Sequence, residues 1–296
     1  VNAIKFSFDG SEYRSSLDRG PYELSLLAAH GKKIQGMMLQ SYLFFGSANH
    51  LYQHVKALLL AQPDCRFLIF DFRLVTGIDS SATHSFAQIK QVAAASGTHI
   101  VLVNLTPELE RVFRTARFIF GDVVIASDLD RALESCELSI IDAHRTTADD
   151  ARSLRAWWTD ALGSAAYADR LADCCRRLEV RAGDIIAREG DPPSSMHFIL
   201  EGRIGIVVEP ADGRTIRLRS LGPHTTIGEM GLITGRPRSA TIAAEADSVL
   251  YELSAEAYAR IKRDDPALSQ ALLGYIVAVM SERLSFANRA VGVLQR

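Results

Sequence analysis

The sequence predicts two domains of different class: an α/β domain with a mostly parallel sheet and covering helices, then an antiparallel β-barrel or roll with C-terminal helices. Three observations carry this reading. Up to about residue 141, short apolar runs alternate with amphipathic segments of helical length, the pattern of parallel strands joined by crossover helices. Between Arg176 and Leu253, short β-rich runs alternate with Gly and Pro turns, as in a barrel or roll. The 296 residues are 48% apolar and 23% charged, which suffices for two buried cores and excludes wholesale disorder.

Taken in order, Ala3 to Phe8 reads as a leading strand, with a short helix before residue 32. Lys33 to Leu39 is a strand and Ala48 to Leu60 an amphipathic helix. Arg66 to Phe72 is an apolar run of buried-strand length; a loop then leads to a helix over Ser81 to Ala95, with Asp79, Ser80 and Ser81 forming a natural N-cap. His99 to Asn104 is a strand, and Pro107 to Thr115 a helix opened by Thr106. Asp122 to Ala126 is a short strand and Leu129 to Cys136 a helix capped by Asp128. The polar stretch Ala143 to Arg155, followed by Trp157-Trp158, suits a helical bridge whose tryptophans anchor it onto a domain. The expected division is therefore 1–141 for the first domain, 142–164 for a helical linker and 165–296 for the second domain. Within the second domain, turns fall at Ala182-Gly183-Asp184, Glu189-Gly190-Asp191-Pro192, Glu201-Gly202, Asp212-Gly213 and Gly222-Pro223. Helices over Ala255 to Arg263 and Pro266 to about Ala290 close the chain.

Composition narrows the function. Lys+Arg 33 against Asp+Glu 35 gives a net charge of -2, so no basic field marks nucleic acid as a partner. The apolar stretch from Ala271 to Met280 falls well short of the roughly 20 residues a spanning helix needs. Cys65, Cys136, Cys174 and Cys175 form no C-x-x-C pair and read as reduced structural thiols. His50 and His54 stand at a spacing that can bind zinc, but without a Cys or acidic partner nearby they read as solvent-facing or core-edge; His84 and His197 read as packing residues. No G-x-S-x-G, H-E-x-x-H or P-loop lysine motif is present, so neither catalysis nor a metal is expected.

The richest segment runs Ile227-Gly228-Glu229-Met230-Gly231-Leu232-Ile233-Thr234-Gly235-Arg236-Pro237-Arg238-Ser239-Ala240-Thr241-Ile242. A Gly-Glu opens a helical turn, a Gly–Arg–Pro turn follows, and Arg-Ser-Ala enters the next strand. Backbone N–H groups converging at such a turn favour an anion, and Arg238 can give a phosphate a forked, charge-assisted contact. Glu229 offers an acceptor for a hydroxyl, and phosphate beside hydroxyl describes a nucleotide sugar. Arg236 reads as a solvated turn residue.

This segment closely resembles the phosphate-binding cassette of cyclic-nucleotide-binding domains, the family of the catabolite activator and the protein kinase A regulatory subunit. Gly183 to Asp191 and Phe198 to Gly202 are similar to the same family's barrel, and the resemblance covers about residues 165–290. It implies a cyclic nucleotide ligand, cAMP or cGMP, with Arg238 on the cyclic phosphate and Glu229 accepting from the ribose 2′-hydroxyl. Gly228, Met230, Ser239 and Ala240 would line the site, and the long C-terminal helix would act as a movable lid. Thr225, Thr226 and Ile227 stand where aromatic residues often precede Gly-Glu in the family. A buried Arg–Glu pair kept for shape alone would be costly, which argues against an empty barrel.

In the first half, Asp71 to Ala82 resembles the signature of STAS domains, shared by anti-sigma-factor antagonists and the cytoplasmic tails of SulP anion transporters. The resemblance makes Ser81 a candidate phosphorylation site, with Ala82 where a glycine usually follows. Leu39 to Asn49, with its Leu43-Phe44-Phe45-Gly46 run, is similar to the strand-to-helix segment of SulP tails. The implied protein is the regulatory region of a bacterial SulP-type anion (sulfate) transporter at the cytoplasmic face of the inner membrane, with the membrane domain preceding Val1. Its partners would be that membrane domain and a second copy in a homodimer. The alternatives are a soluble STAS partner-switch protein gated by cyclic nucleotide, and a non-binding dimerisation module.

Overall fold

The computed structural model describes residues 2–121, 123–145, 153–208 and 216–294. Asp122 at the expected strand start, residues 146–152 of the expected linker and the Asp212-Gly213 turn lie outside the described residues. In chain order the elements are β1 (Ile4–Asp9), β2 (Leu17–Asp18), α1 (Pro21–His30), β3 (Ile34–Leu43), α2 (Phe45–Ala61), β4 (Phe67–Ile78), α3 (Ser80–Ala95), β5 (His99–Val103), α4 (Pro107–Thr115), β6 (Val123–Ala126) and α5 (Leu129–His144). There follow α6 (Leu154–Leu162), α7 (Ala165–Cys174), β7 (Arg176–Val180), β8 (Ile185–Ala187), β9 (Ser195–Glu201), β10 (Ile204–Val208) and β11 (Ile216–Leu221). The chain ends with β12 (Thr225–Ile227), α8 (Glu229–Thr234), β13 (Thr241–Ala244), β14 (Ser248–Ser254), α9 (Ala255–Asp264) and α10 (Pro266–Leu294). Two compact units result, built chiefly of residues 1–15 with 25–144 and of residues 16–24 with 145–288.

The first unit is an α/β domain on one sheet, order β1-β3-β4-β5-β6. The pairs β3–β4, β4–β5 and β5–β6 are parallel, and β1 joins the edge antiparallel. β4 is central, and its apolar residues Leu68, Ile69, Phe70 and Phe72 are buried, as a strand covered on both faces requires. One face packs on α2, α3 and α4 through Leu51, Phe86 and Phe113; the other packs on α1 and α5 through Leu27, Leu133 and Ile140. Two boundaries depart from expectation. β3 and β4 run on to Leu43 and Ile78, because residues 73–78, read as loop, pair with residues 40–43, as in Leu74 with Gln40 and Ile78 with Leu43. α5 continues eight residues past Cys136, carried by buried Glu137, Ile140 and Ile141.

The second unit is a β-roll of two sheets, orders β2-β11-β10-β13-β8 and β12-β9-β14-β7. Its interior holds Ile199, Ile204, Leu221, Ile227, Ile242 and Leu250. A second cluster joins helices α6, α7, α9 and α10 to β9 and β14, with Trp157 and Trp158 both set edge-on against Phe198. α6 therefore belongs to this unit's core rather than to a linker reaching residue 164. A further departure concerns residues 16–24, which the expected 1–141 boundary assigned to the first domain. They group with the second unit, where Leu17 and Asp18 form β2, parallel to Ser220 and Leu221 of β11. Among the described residues, no helix is long and apolar enough to cross a membrane.

Candidate functional site

The site is built where β12 turns into α8. β12 pairs antiparallel with β9, Thr226 opposite Phe198, so the turn at Gly228 is held against the roll. Gly228 sits at φ +87 as the N-cap of α8. A Cβ there would be strained by that angle and would also collide with the Arg238 guanidinium, so only glycine fits. Arg238 is fixed from the opposite side by the turn preceding β9: its N–H donates to the Asp191 carbonyl at 2.9 Å, and its own carbonyl accepts from the Gly190 N–H at 2.8 Å.

The Arg238 side chain is buried. Nη1 donates to the Gly228 carbonyl at 3.1 Å and Nη2 to the Ser195 carbonyl, while Nε is buried without a hydrogen-bond partner. No described ion pair includes Arg238. Burial pushes its pKa below the ordinary arginine value, and the fields of Glu229 and Asp191 only partly oppose this. A buried guanidinium held by carbonyl dipoles alone is a ready seat for an anion.

Glu229 is 3% exposed. Its Oε1 accepts from Arg283 Nη1 at 2.5 Å, and its Oε2 is buried with no partner. Arg283, on α10, also donates from Nη2 to the Thr226 carbonyl at 2.5 Å and from Nε to Asp18 Oδ2 at 2.6 Å. Burial works against the Arg283 charge, but the carboxylates of Glu229 and Asp18 outweigh it and hold its pKa above the ordinary value. The Thr226 hydroxyl is likewise buried and unpartnered. The two arginines thus differ: Arg283 is ion-paired to Glu229 and Asp18, whereas Arg238 has no ion pair among the described residues. An orphaned acceptor on Glu229 and an orphaned donor on Arg238 are what a group carrying both hydroxyl and phosphate would satisfy, so these residues fit a cyclic nucleotide.

Of the expected site residues, the structure brings Gly228, Glu229 and Arg238 together. Ala240 is buried at the entry to β13, whereas the Met230 and Ser239 side chains are exposed; Arg236 is exposed, as a turn residue should be. Asp18 and Arg283 were not singled out in the sequence. Arg283 carried one weak signal, a cation within a long helix whose preceding turns are largely apolar, while β2 is too short to show periodicity.

Ser81 is exposed in the first turn of α3, its Oγ donating to Asp79 Oδ1 at 2.6 Å. Asp79 also accepts from the Ala82 N–H at 2.7 Å, and the Ser81 and Ala82 bonds hold its carboxyl below the usual carboxylate range. His50 and His54 are exposed. His84 is exposed too and packs into no core, because it lies on the solvent face of α3. His197 is buried, with Nε2 3.7 Å from Glu252 Oε1. That bond, with Arg176 assisting against burial, pulls the Glu252 carboxyl down to about 2. The four cysteines are free thiols; burial raises Cys65 to about 11 and Cys136 to about 12, as expected of inert structural thiols.

Comparison with known proteins agrees with this geometry. Residues 32–132 match the STAS domain family, and residues 177–265 match the cyclic nucleotide-binding domain family. Glutaminase 1 of Bradyrhizobium diazoefficiens is 25% identical over a region covering 99% of this chain and 47% of its own length. A cyclic nucleotide-gated potassium channel of Rhizobium etli is 33% identical, covering 38% of this chain and 29% of its own. A vacuolar basic amino acid transporter of Saccharomyces cerevisiae is 26% identical, covering 46% of this chain and 14% of its own. The chain therefore spans about half the length of the glutaminase it matches.

Proposed function

From a chain that joins a STAS domain to a cyclic nucleotide-binding domain, we propose a regulatory module that binds cAMP or cGMP and passes the binding energy to a separate effector domain of a longer protein. The observation that carries this reading is Arg238, a buried guanidinium with no ion pair among the described residues, beside Glu229, whose second oxygen is buried without a hydrogen-bond partner. A cyclic phosphate would supply the missing counter-charge and a ribose hydroxyl would reach Glu229. Because Arg283 ties α10 to Glu229, a ligand there would change how the last helix is held. Such differential binding can shift a conformational equilibrium by about 1–3 kcal/mol.

The test is calorimetric titration of the chain with cAMP and with cGMP, alongside Arg238→Ala. Micromolar binding weakened about 100-fold or more in the variant, with unchanged circular dichroism, is the expected result. No heat with either nucleotide on folded protein, or an unaltered Kd in the variant, would overturn it.

Two effectors have support. A SulP-type anion transporter is suggested by the Leu43-Phe44-Phe45-Gly46 run and by the transporter relative. An amide-hydrolysing enzyme is suggested by the glutaminase, and this match has the wider coverage, since it runs through both domains. In the second case the chain itself remains non-catalytic. Nucleotide-dependent ammonia release from glutamine by the full-length protein would select the enzyme; nucleotide-dependent anion flux into vesicles would select the transporter. Self-association is a further reading, favoured by Leu273, Val277 and Leu284, which are exposed on α10 at spacings of four and seven residues. Phosphorylation of exposed Ser81 would place a dianion against Asp79 and set the N-cap of α3 under repulsion.

A further inference from the structure

The Arg283 guanidinium divides its nitrogens among three acceptors: Nη1 donates to Glu229 Oε1, Nη2 to the Thr226 carbonyl and Nε to Asp18 Oδ2. An arginine facing a carboxylate commonly forks, with two parallel N–H groups on its two oxygens. Here the bonds at Nε and Nη2 set the angle of the guanidinium plane, so that Nη1 alone meets Glu229. Glu229 is therefore engaged through Oε1, and its Oε2 stays buried without a hydrogen-bond partner. Of the two anchors, Thr226 is local to the cassette, whereas Asp18 comes from the start of the chain.

Asp18 is held firmly where it stands. Leu17 beside it is buried, and the Asp18 carbonyl accepts from the Gly222 N–H at 2.8 Å as β2 pairs with β11. Farther along the segment, Glu23 accepts from Arg19 at 3.0 Å and from Arg145 at 2.7 Å. Just before it, Ser15 is tied within the first unit to buried Glu137, by its N–H at 2.7 Å and its hydroxyl at 2.5 Å. Residues 16–24 thus belong to the second unit, while the chain on either side, 1–15 and 25–144, belongs to the first. We propose that Asp18 is a positioning residue of the nucleotide site: by holding Arg283 Nε it keeps the guanidinium off the second oxygen of Glu229 and leaves that oxygen to a ribose hydroxyl. This rests on the cyclic-nucleotide reading of Arg238 and Glu229, and it adds a means of regulation. Seating of β2 raises affinity for the ribose hydroxyl, and by linkage the bound nucleotide favours the seated segment by the same factor.

Titration calorimetry of the full chain tests this, with whichever of cAMP and cGMP binds more tightly and with its 2′-deoxy analogue. The parent is expected to favour the hydroxyl-bearing nucleotide about tenfold or more. In Asp18→Ala the guanidinium is free to fork onto Glu229, and the preference should fall to within about twofold through weaker binding of the hydroxyl-bearing nucleotide alone. Asp18→Asn, whose side-chain carbonyl still accepts from Nε, should keep most of the preference. In the parent, the nucleotide should slow amide exchange across residues 16–24 more than the deoxy analogue does at equal saturation. The role of Asp18 is overturned, with the nucleotide reading intact, by a parent without the preference, by a preference kept in Asp18→Ala or lost in Asp18→Asn, by a loss in Asp18→Ala shared equally by both ligands, or by equal exchange with both. No binding of either nucleotide to folded parent overturns the nucleotide reading, and this role with it.

Discussion

Asp71 in the first unit and Glu229 in the second are both buried carboxylates, but their surroundings differ. Asp71 is wholly buried and closed by its own domain: it accepts from the Arg73 N–H at 2.9 Å, the Arg73 guanidinium at 3.3 Å and Asn104 Nδ2 at 2.8 Å. Glu229 has one oxygen bound to Arg283 and the other bound to nothing. A carboxylate whose bonds all close within the fold belongs to the scaffold. One left half-satisfied, beside a guanidinium with no ion pair among the described residues, is kept at a cost to stability that the proposed ligand would offset.

The largest effect that would test the contrast is expected at Asp71. Asp71→Ala deprives the Arg73 N–H and Asn104 Nδ2 of their acceptor, while the half-exposed Arg73 guanidinium turns to water, and should lower unfolding free energy by about 2–3 kcal/mol in urea titration, leaving cyclic-nucleotide affinity within about twofold. A loss below about 1 kcal/mol would remove Asp71 from the scaffold class.

Glu252 is intermediate, a mostly buried carboxylate held by His197 and Arg176. Its carboxyl is lowered from 4.5 to about 2, so its stabilisation is fully present above 4.5 and is lost as pH falls toward 2. With Arg176 exposed to solvent and its field screened, the shift corresponds to about 1–2 kcal/mol. Urea midpoints measured across that window should fall in the parent and flatten in Glu252→Gln; parallel slopes would discount the pair.

The smallest stability effect is expected at Glu229. Glu229→Gln leaves Arg283 its bond to Asp18 and should change unfolding free energy by no more than about 1 kcal/mol, yet weaken nucleotide binding about 10–100-fold. If both quantities fell together, Glu229 would be scaffold like Asp71.

The sequence showed what is local and periodic. Strand–helix alternation, the Asp79 and Thr106 caps and the Gly228-to-Ala240 cassette each depend on neighbouring residues, and all three are present. It did not show what depends on distant partners. The extension of β4 over residues 73–78 needs β3 beside it, and nothing within Arg73 to Ile78 says so. Arg283 stands 54 residues after Glu229 and Asp18 lies 265 residues before Arg283, so no spacing rule could join them. The exposure of His84 and the burial of His197 follow from the faces their elements present, which a single histidine cannot announce.

Strand β2 has a consequence for the order in which this chain can fold. Leu17 is synthesised about 200 residues ahead of its partner Ser220. The sheet of the second unit is therefore completed only once β11 has been synthesised, and until then β2 is a strand without its partner edge. Pairing across such a sequence separation is intrinsically slow. During that interval the segment around Leu17 from one nascent chain could complete the sheet of another, giving an exchanged dimer with the same hydrogen bonds. A fragment beginning at residue 145 would lack this strand, and with it the Asp18 carboxylate that Arg283 binds.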